Sequence, residues 1–208
     1  MNQDPIRHHR RSIRLKGYDY TQAGAYFVTL CVQNHQCIFG HIEDGEMDFN
    51  DMGTIVSDAW EWLARQYDHV DLDAYTVMPN HLHGIIVLSD PGKGGSRTAP
   101  TTAHRKYTLD GKIAPMRRKP LGRLIGACKT ISTKRINLLR QTPGVSVWQR
   151  NYWEHVIRNE NALDDVRRYI IQNPQRWALD RFNPNATGVD PNDLGDADRP
   201  LKQKMTFE

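Results

Sequence analysis

Cysteine is scarce in this 208-residue chain. Cys31, Cys37 and Cys128 are its only three, an odd and scattered set. That excludes a disulfide framework and fits a reducing, cytoplasmic setting. No apolar run approaches the ~18 residues a membrane-spanning helix needs, so no membrane partner is expected. The basic first residues are not followed by an apolar stretch, which argues against a secretory signal. No internal repeat is visible. Gly92-Lys-Gly-Gly-Ser lacks the spacing of a phosphate-cradling Walker loop. Acidic residues are also thin around the histidines treated below, where Asp71 and Asp73 are the near ones.

Positive charge, by contrast, is present and segregated. The net charge is +4, yet Gly92 to Arg140 holds thirteen Lys/Arg against one acid, Asp110. That stretch is +12, so the remainder carries 4 − 12 = −8. From Glu43 to Asp90 there are eleven acids and one base, Arg65. A basic stretch of this kind is the footprint of a polyanion site, because lysine and arginine release the counterions of phosphates. It equally fits a solvated loop and a charged helix face.

The length suits one domain, at roughly 100–200 residues each. A basic arm (1–24) precedes a domain over 25–182, and a polar tail (183–208), rich in Asn, Asp, Gly and Pro, reads as disordered. Within the domain, Ala25–Val32 is aromatic and β-branched and predicts a strand. Phe39–Asp48 is turn-rich. Asp51–Tyr67 is an amphipathic helix with Asn50 or Asp51 as cap. Asp73–Met78 and Leu82–Leu88 are strands joined by a tight break at Pro79-Asn80. Residues 89–120 read as a flexible basic loop. Leu121–Leu139 is a second helix, with Leu121, Leu124, Ile125, Cys128, Ile131, Leu138 and Leu139 as its apolar stripe. Val145–Gln149 and Glu154–Ile157 look extended. Asn161 caps a last helix, Ala162–Gln172, which Pro174 stops. The order predicts an α+β fold, one mostly antiparallel sheet with helices packed on one face.

Two local patterns carry chemistry. His81-Leu-His83 precedes a strand run, and residues two apart in a strand share a face. Two imidazoles aimed at one point can hold a divalent ion loosely and leave positions open for substrate. The pattern also fits two structural histidines at a strand end. Tyr169 and Asn173 are four apart on the last helix and share a face. A phenol is a poor nucleophile at its ordinary pKa of ~10, so it needs a fixed approach and an activated phosphate. A tyrosine at the core edge and a cap before proline would give the same residues.

Joined with two further blocks, these patterns resemble a known family. Tyr26-Phe-Val-Thr-Leu-Cys-Val-Gln-Asn, Val77-Met-Pro-Asn-His-Leu-His-Gly, Trp148-Gln-Arg-Asn-Tyr-Trp-Glu-His-Val-Ile-Arg and Tyr169-Ile-Ile-Gln-Asn-Pro occur in the order seen in single-tyrosine HUH transposases of the insertion-sequence type, especially the REP-associated tyrosine transposases. The resemblance spans about residues 14 to 182. It implies a ferredoxin-like core and Mg²⁺ or Mn²⁺ bound by His81, His83 and Asn173. It implies Tyr169 as the nucleophile on single-stranded DNA, leaving a 5′-phosphotyrosine and a free 3′-OH. Insertion-sequence relatives more often carry Gln where this chain has Asn173. The expected partner is single-stranded or hairpin DNA, the expected setting the nucleoid, and the expected state a monomer or homodimer.

Arg14, Lys119, Arg123, Lys129, Lys134, Arg135 and Arg150 are candidate phosphate contacts, which add affinity more than sequence information. Trp148, Tyr152 and Trp153 are candidates for stacking on unpaired bases, although the alternating, strand-like block around Trp148 favours a core position for it. Tyr152 is a rival nucleophile that lacks a helical partner, and His155 a candidate supporting group. Two other functions compete: a domesticated hairpin-binding protein without transposition, and a metal hydrolase that uses water. The thin supply of acids around the histidines disfavours the latter.

Overall fold

The computed structural model describes residues 15, 17–90 and 118–186. The basic arm with Arg14, most of the 89–120 loop and most of the tail lie outside them. The elements run β1 (Gly24–Cys31), β2 (Gly40–Glu43), β3 (Glu46–Phe49), α1 (Asp51–Gln66), β4 (Val70–Met78), β5 (His81–Leu88), α2 (Leu121–Leu139), β6 (Trp153–Ile157) and α3 (Glu160–Gln172). Without the β2–β3 hairpin and α3, this is strand–helix–strand–strand–helix–strand. Four strands form one antiparallel sheet in the order β4-β5-β1-β6. That is the ferredoxin-like α+β arrangement the resemblance implied.

Strand alternation divides the core in two. Tyr26, Val28 and Leu30 of β1 and Leu82, Ile86 and Leu88 of β5 face α1 and α2 around the buried Trp60. Phe27 and Ile85 point the other way and meet Val166 and Ile170 of α3. The sheet is therefore apolar on both sides. α1 and α2 share one face as expected, while α3 lies across the opposite one. Burying an aliphatic side chain such as Val166 or Ile170 contributes about 1.5–3 kcal/mol. α3 is also tied down at its polar edge. Arg167 Nε and Nη2 donate to the two oxygens of Asp73 on β4 at 2.8 and 2.7 Å.

Local signals explain most boundaries. Asn50 caps α1 by accepting from the backbone N–H groups of Met52 and Gly53 at 2.9 and 3.0 Å, which is worth ~1 kcal/mol. Gly84 sits beneath Trp60, where an added Cβ would lie 2.4 Å from the indole. No larger residue fits that close approach.

Several expectations change. The turn-rich 39–48 stretch is a two-stranded ribbon, β2–β3, because Asp44 and Gly45 both adopt positive φ and turn the chain tightly. β4 begins at Val70. The cap of α3 is Asn159, accepting from Ala162 N–H at 2.8 Å, so the helix starts two residues early. Leu138 and Leu139 are exposed by 81% and 49%. The buried face of α2 turns instead onto Ser132, Ile136 and Asn137. Val145–Gln149 joins the sheet only through the bridge Val32–Trp148. Pro174 ends α3, but the chain continues as a short 3-10 helix, Pro174–Leu179.

Candidate functional site

β5 opens at His81 and places both histidines on the α3 side of the sheet. They are 0% and 2% exposed, with ring centroids 4.5 Å apart. Each ring is oriented through Nδ1. Thr29, directly across on β1, puts its hydroxyl 2.8 Å from His83 Nδ1. Asn80 Oδ1 is 2.9 Å from His81 Nδ1. The amide of Asn80 has a fixed sense, because its Nδ2 donates to the carbonyls of His35 and Phe182 at 2.9 and 2.5 Å. Its oxygen therefore accepts from His81 Nδ1–H, and the lone pair of His81 is left on Nε2. That nitrogen is buried and has no hydrogen-bond partner. A neutral imidazole oriented through its other nitrogen is the usual form of a metal ligand.

Electrostatics agree. Burial above all, with the neighbouring His83, Arg181 and His35, holds His81 well below the usual histidine range, while the Asn173 amide opposes the shift. Burial and the charge of Arg181 push His83 down to about 3. Both rings are neutral near pH 7.

α3 brings Tyr169 to this pair. Its hydroxyl is 3.3 Å from His83 Nε2, and its ring meets Phe27 edge-on at 6.0 Å. Asn173, just past the last turn, is buried; its amide faces His81, but its Oδ1 makes no hydrogen bond of normal geometry. Sequence spacing thus anticipated a cluster that the structure assembles: His81, His83, Tyr169 and Asn173.

Two residues of the cluster carried no role in the sequence reading. Asn80 was only part of a motif. Asp180 follows the 3-10 helix, and one carboxylate oxygen stands 3.9 Å from His81 Nε2. Ligand atoms of His81, His83 and Asp180 all lie within 4.8 Å of one another. Burial raises the carboxyl of Asp180, against opposing effects of the Phe182 N–H and Arg181. No local periodicity marks Asp180. Only the return of the chain after Pro174 brings it to β5. Phe182 closes the same side, 4.8 Å from the His81 ring and stacked at 5.3 Å on His35.

The expected DNA contacts are more scattered. α2 lies on the sheet face opposite the histidines. Lys129 is turned inward, donating to the carbonyls of Gln149 and Asn151 at 2.9 and 2.7 Å. Burial lowers its pKa to about 8. Arg135 pairs with Asp58 at 3.0 Å. Lys119, Arg123, Lys134 and Arg150 are exposed. Trp148 is corrected as a stacking platform. It is 6% exposed, packs on Phe39, and its Nε1–H donates to Ser132 Oγ at 2.9 Å. Tyr152 is also buried, in the core on the α1–α2 side, away from the histidines. His155 pairs with Phe27 across β6 and β1 and so shares the site's face.

The fold and site define a class: a ferredoxin-like α+β protein with a buried His-x-His pair facing a helical tyrosine. No family model matches the chain. A Haemophilus influenzae protein of uncharacterised function is 36% identical over 177 residues, covering 84% of this chain and 93% of that protein. Another from the same organism, provisionally named a REP-associated tyrosine transposase, is 23% identical over 156 residues, 75% of this chain and 73% of its own. A solved structure of the REP-associated tyrosine transposase bound to a REP hairpin aligns with a TM-score of 0.51 at 16% identity, over 88% of this chain and 93% of that one. At that identity the likeness is one of fold. The chain belongs to one family with the first of these Haemophilus influenzae proteins, and its fold is that of the REP-associated tyrosine transposase structure.

Proposed function

We propose that this protein cleaves and rejoins single-stranded DNA at hairpin elements, with Tyr169 as the nucleophile. The observation that carries the reading is the Tyr169 hydroxyl at 3.3 Å from His83 Nε2, beside two buried atoms that make no hydrogen bond of normal geometry, His81 Nε2 and Asn173 Oδ1. Buried polar atoms left unpaired cost ~1–3 kcal/mol each, so a cluster of them supports a ligand. Two imidazoles, an amide oxygen and the Asp180 carboxylate form a donor set that suits a divalent metal such as Mg²⁺ or Mn²⁺. When bound, such an ion supplies charge withdrawal at the phosphoryl oxygen.

The chain's own residues do the rest. Phe27 and the apolar face of α3 fix the approach of the phenol. Tyr169 Oη forms a bond to phosphorus while the bond to the 3′ oxygen breaks, and the phenolic proton ends on the released 3′-OH. The phosphotyrosine conserves the bond energy, so rejoining needs no nucleotide. The structure of a relative bound to a REP hairpin supports hairpin DNA as the partner here.

The test is incubation of the protein with labelled single-stranded hairpin DNA and Mn²⁺. A denaturant-resistant adduct is expected, lost in Tyr169→Phe and kept in Tyr152→Phe. The reverse pattern would move the nucleophile to Tyr152. Hairpin binding with no adduct would leave a binding protein instead.

A further inference from the structure

The segment after the 3-10 helix carries a cation that the chemistry above does not use. Arg181 lies between Asp180, whose carboxylate faces His81, and Phe182, whose ring lies against His81 and His35. Its guanidinium sits 4.4 Å over the Phe182 ring. Among the described residues, no hydrogen bond or ion pair engages it. Among the described residues its five N–H donors have no partner, while stacking on Phe182 restricts where they point.

A free arginine beside a cradle for a divalent cation is self-repelling. An anion shared by the two removes the conflict. The other groups of the cluster cannot be that anion, since the imidazoles, phenol and amide are neutral. Asp180 supplies one negative charge, less than an arginine and a dication require. A phosphodiester supplies another, and a guanidinium matches its non-bridging oxygens in geometry as well as in charge.

Building on the proposed function, we infer that Arg181 is a phosphate-binding residue, donating to a non-bridging oxygen of the phosphodiester that Tyr169 attacks. The geometry supports the placement: the guanidinium lies over the Phe182 ring, and that ring lies 4.8 Å from the ring of His81. The basic helix α2 lies across the sheet, so it is poorly placed to supply this contact.

The experiment uses the full chain in EDTA with a fluorescein-labelled DNA hairpin bearing a single-stranded 3′ arm. Affinity is read by fluorescence anisotropy over a range of NaCl. Arg181→Gln is expected to bind roughly 5–10-fold more weakly at low salt. Its slope of log affinity against log salt should be shallower by about 0.7, the value for one phosphate contact on a single strand. Arg65→Gln, on α1 and paired with Glu61, should leave both unchanged. Phe182→Leu, which removes the ring contact and keeps the charge, should keep the slope. Arg181→Leu retains apolar contact with Phe182, and serves if Arg181→Gln does not fold. Wild-type affinity and slope in both neutral variants would overturn the assignment. Wild-type protein that binds none of the probe would instead overturn the reading of the site as a DNA site.

Discussion

The Tyr169 hydroxyl and His83 Nε2 face each other at 3.3 Å across the gap between α3 and β5. With Thr29 on Nδ1, His83 has both nitrogens engaged. The phenol therefore occupies the same His83 nitrogen that a metal would take. Tyr169→Phe is expected to abolish the DNA adduct and to raise affinity for Mn²⁺ several-fold. Titration calorimetry checks the second effect without relying on activity. Weaker Mn²⁺ binding in the phenylalanine variant would mean the hydroxyl is itself a ligand.

Asn80 is a positioning residue for His81. Asn80→Leu leaves the His35 and Phe182 carbonyls without their donor and frees the His81 tautomer. A stability loss of about 1–3 kcal/mol is expected, from buried groups left unpaired. Mn²⁺ affinity should fall roughly 10–100-fold, the range for groups that orient a metal ligand. Urea denaturation and calorimetry separate the two. Unchanged metal affinity in a folded variant would remove Asn80 from the site.

Gly84 serves the opposite face. Gly84→Ala is expected to cost about 1–3 kcal/mol by forcing Cβ into Trp60. Chemical denaturation of the variant measures that cost. Residual folded protein should bind Mn²⁺ as the wild type does, because residue 84 points away from both imidazoles.

Acid sensitivity should trace in part to the anchor of α3. The hydrogen bonds from Arg167, helped by the Ala74 N–H, hold Asp73 below the usual carboxylate range. The folded state then binds fewer protons than the unfolded one, whose carboxyl titrates near ~3.9. The stabilisation is present above that pH and is lost as pH falls through the folded value. Asp73→Asn should be less stable at pH 7, and its stability should fall less steeply below about pH 4. Melting curves across pH check this. Parallel curves would show that the pair contributes nothing to α3 docking.

Much of this was legible along the chain because it is local. Period-two alternation marks β1 and β5, and the i, i+4 spacing of Tyr169 and Asn173 puts them on one side of α3. His81 and His83 share a strand face by the same rule. Trp148 shows where such reading ends. The alternation around it favours a core position for the indole, but nothing near it names Ser132 as the partner, since that comes from α2.

Residue spacing by itself determined the strands, the helices, and which pairs share a face, because backbone geometry repeats over two or 3.6 residues. Tertiary structure alone decided that α3 crosses the histidine side of the sheet, that α2 with its basic residues takes the other, and that Asp180 and Arg181 return to β5. Those outcomes depend on which apolar surfaces are buried together and where the chain doubles back, and no local period encodes either.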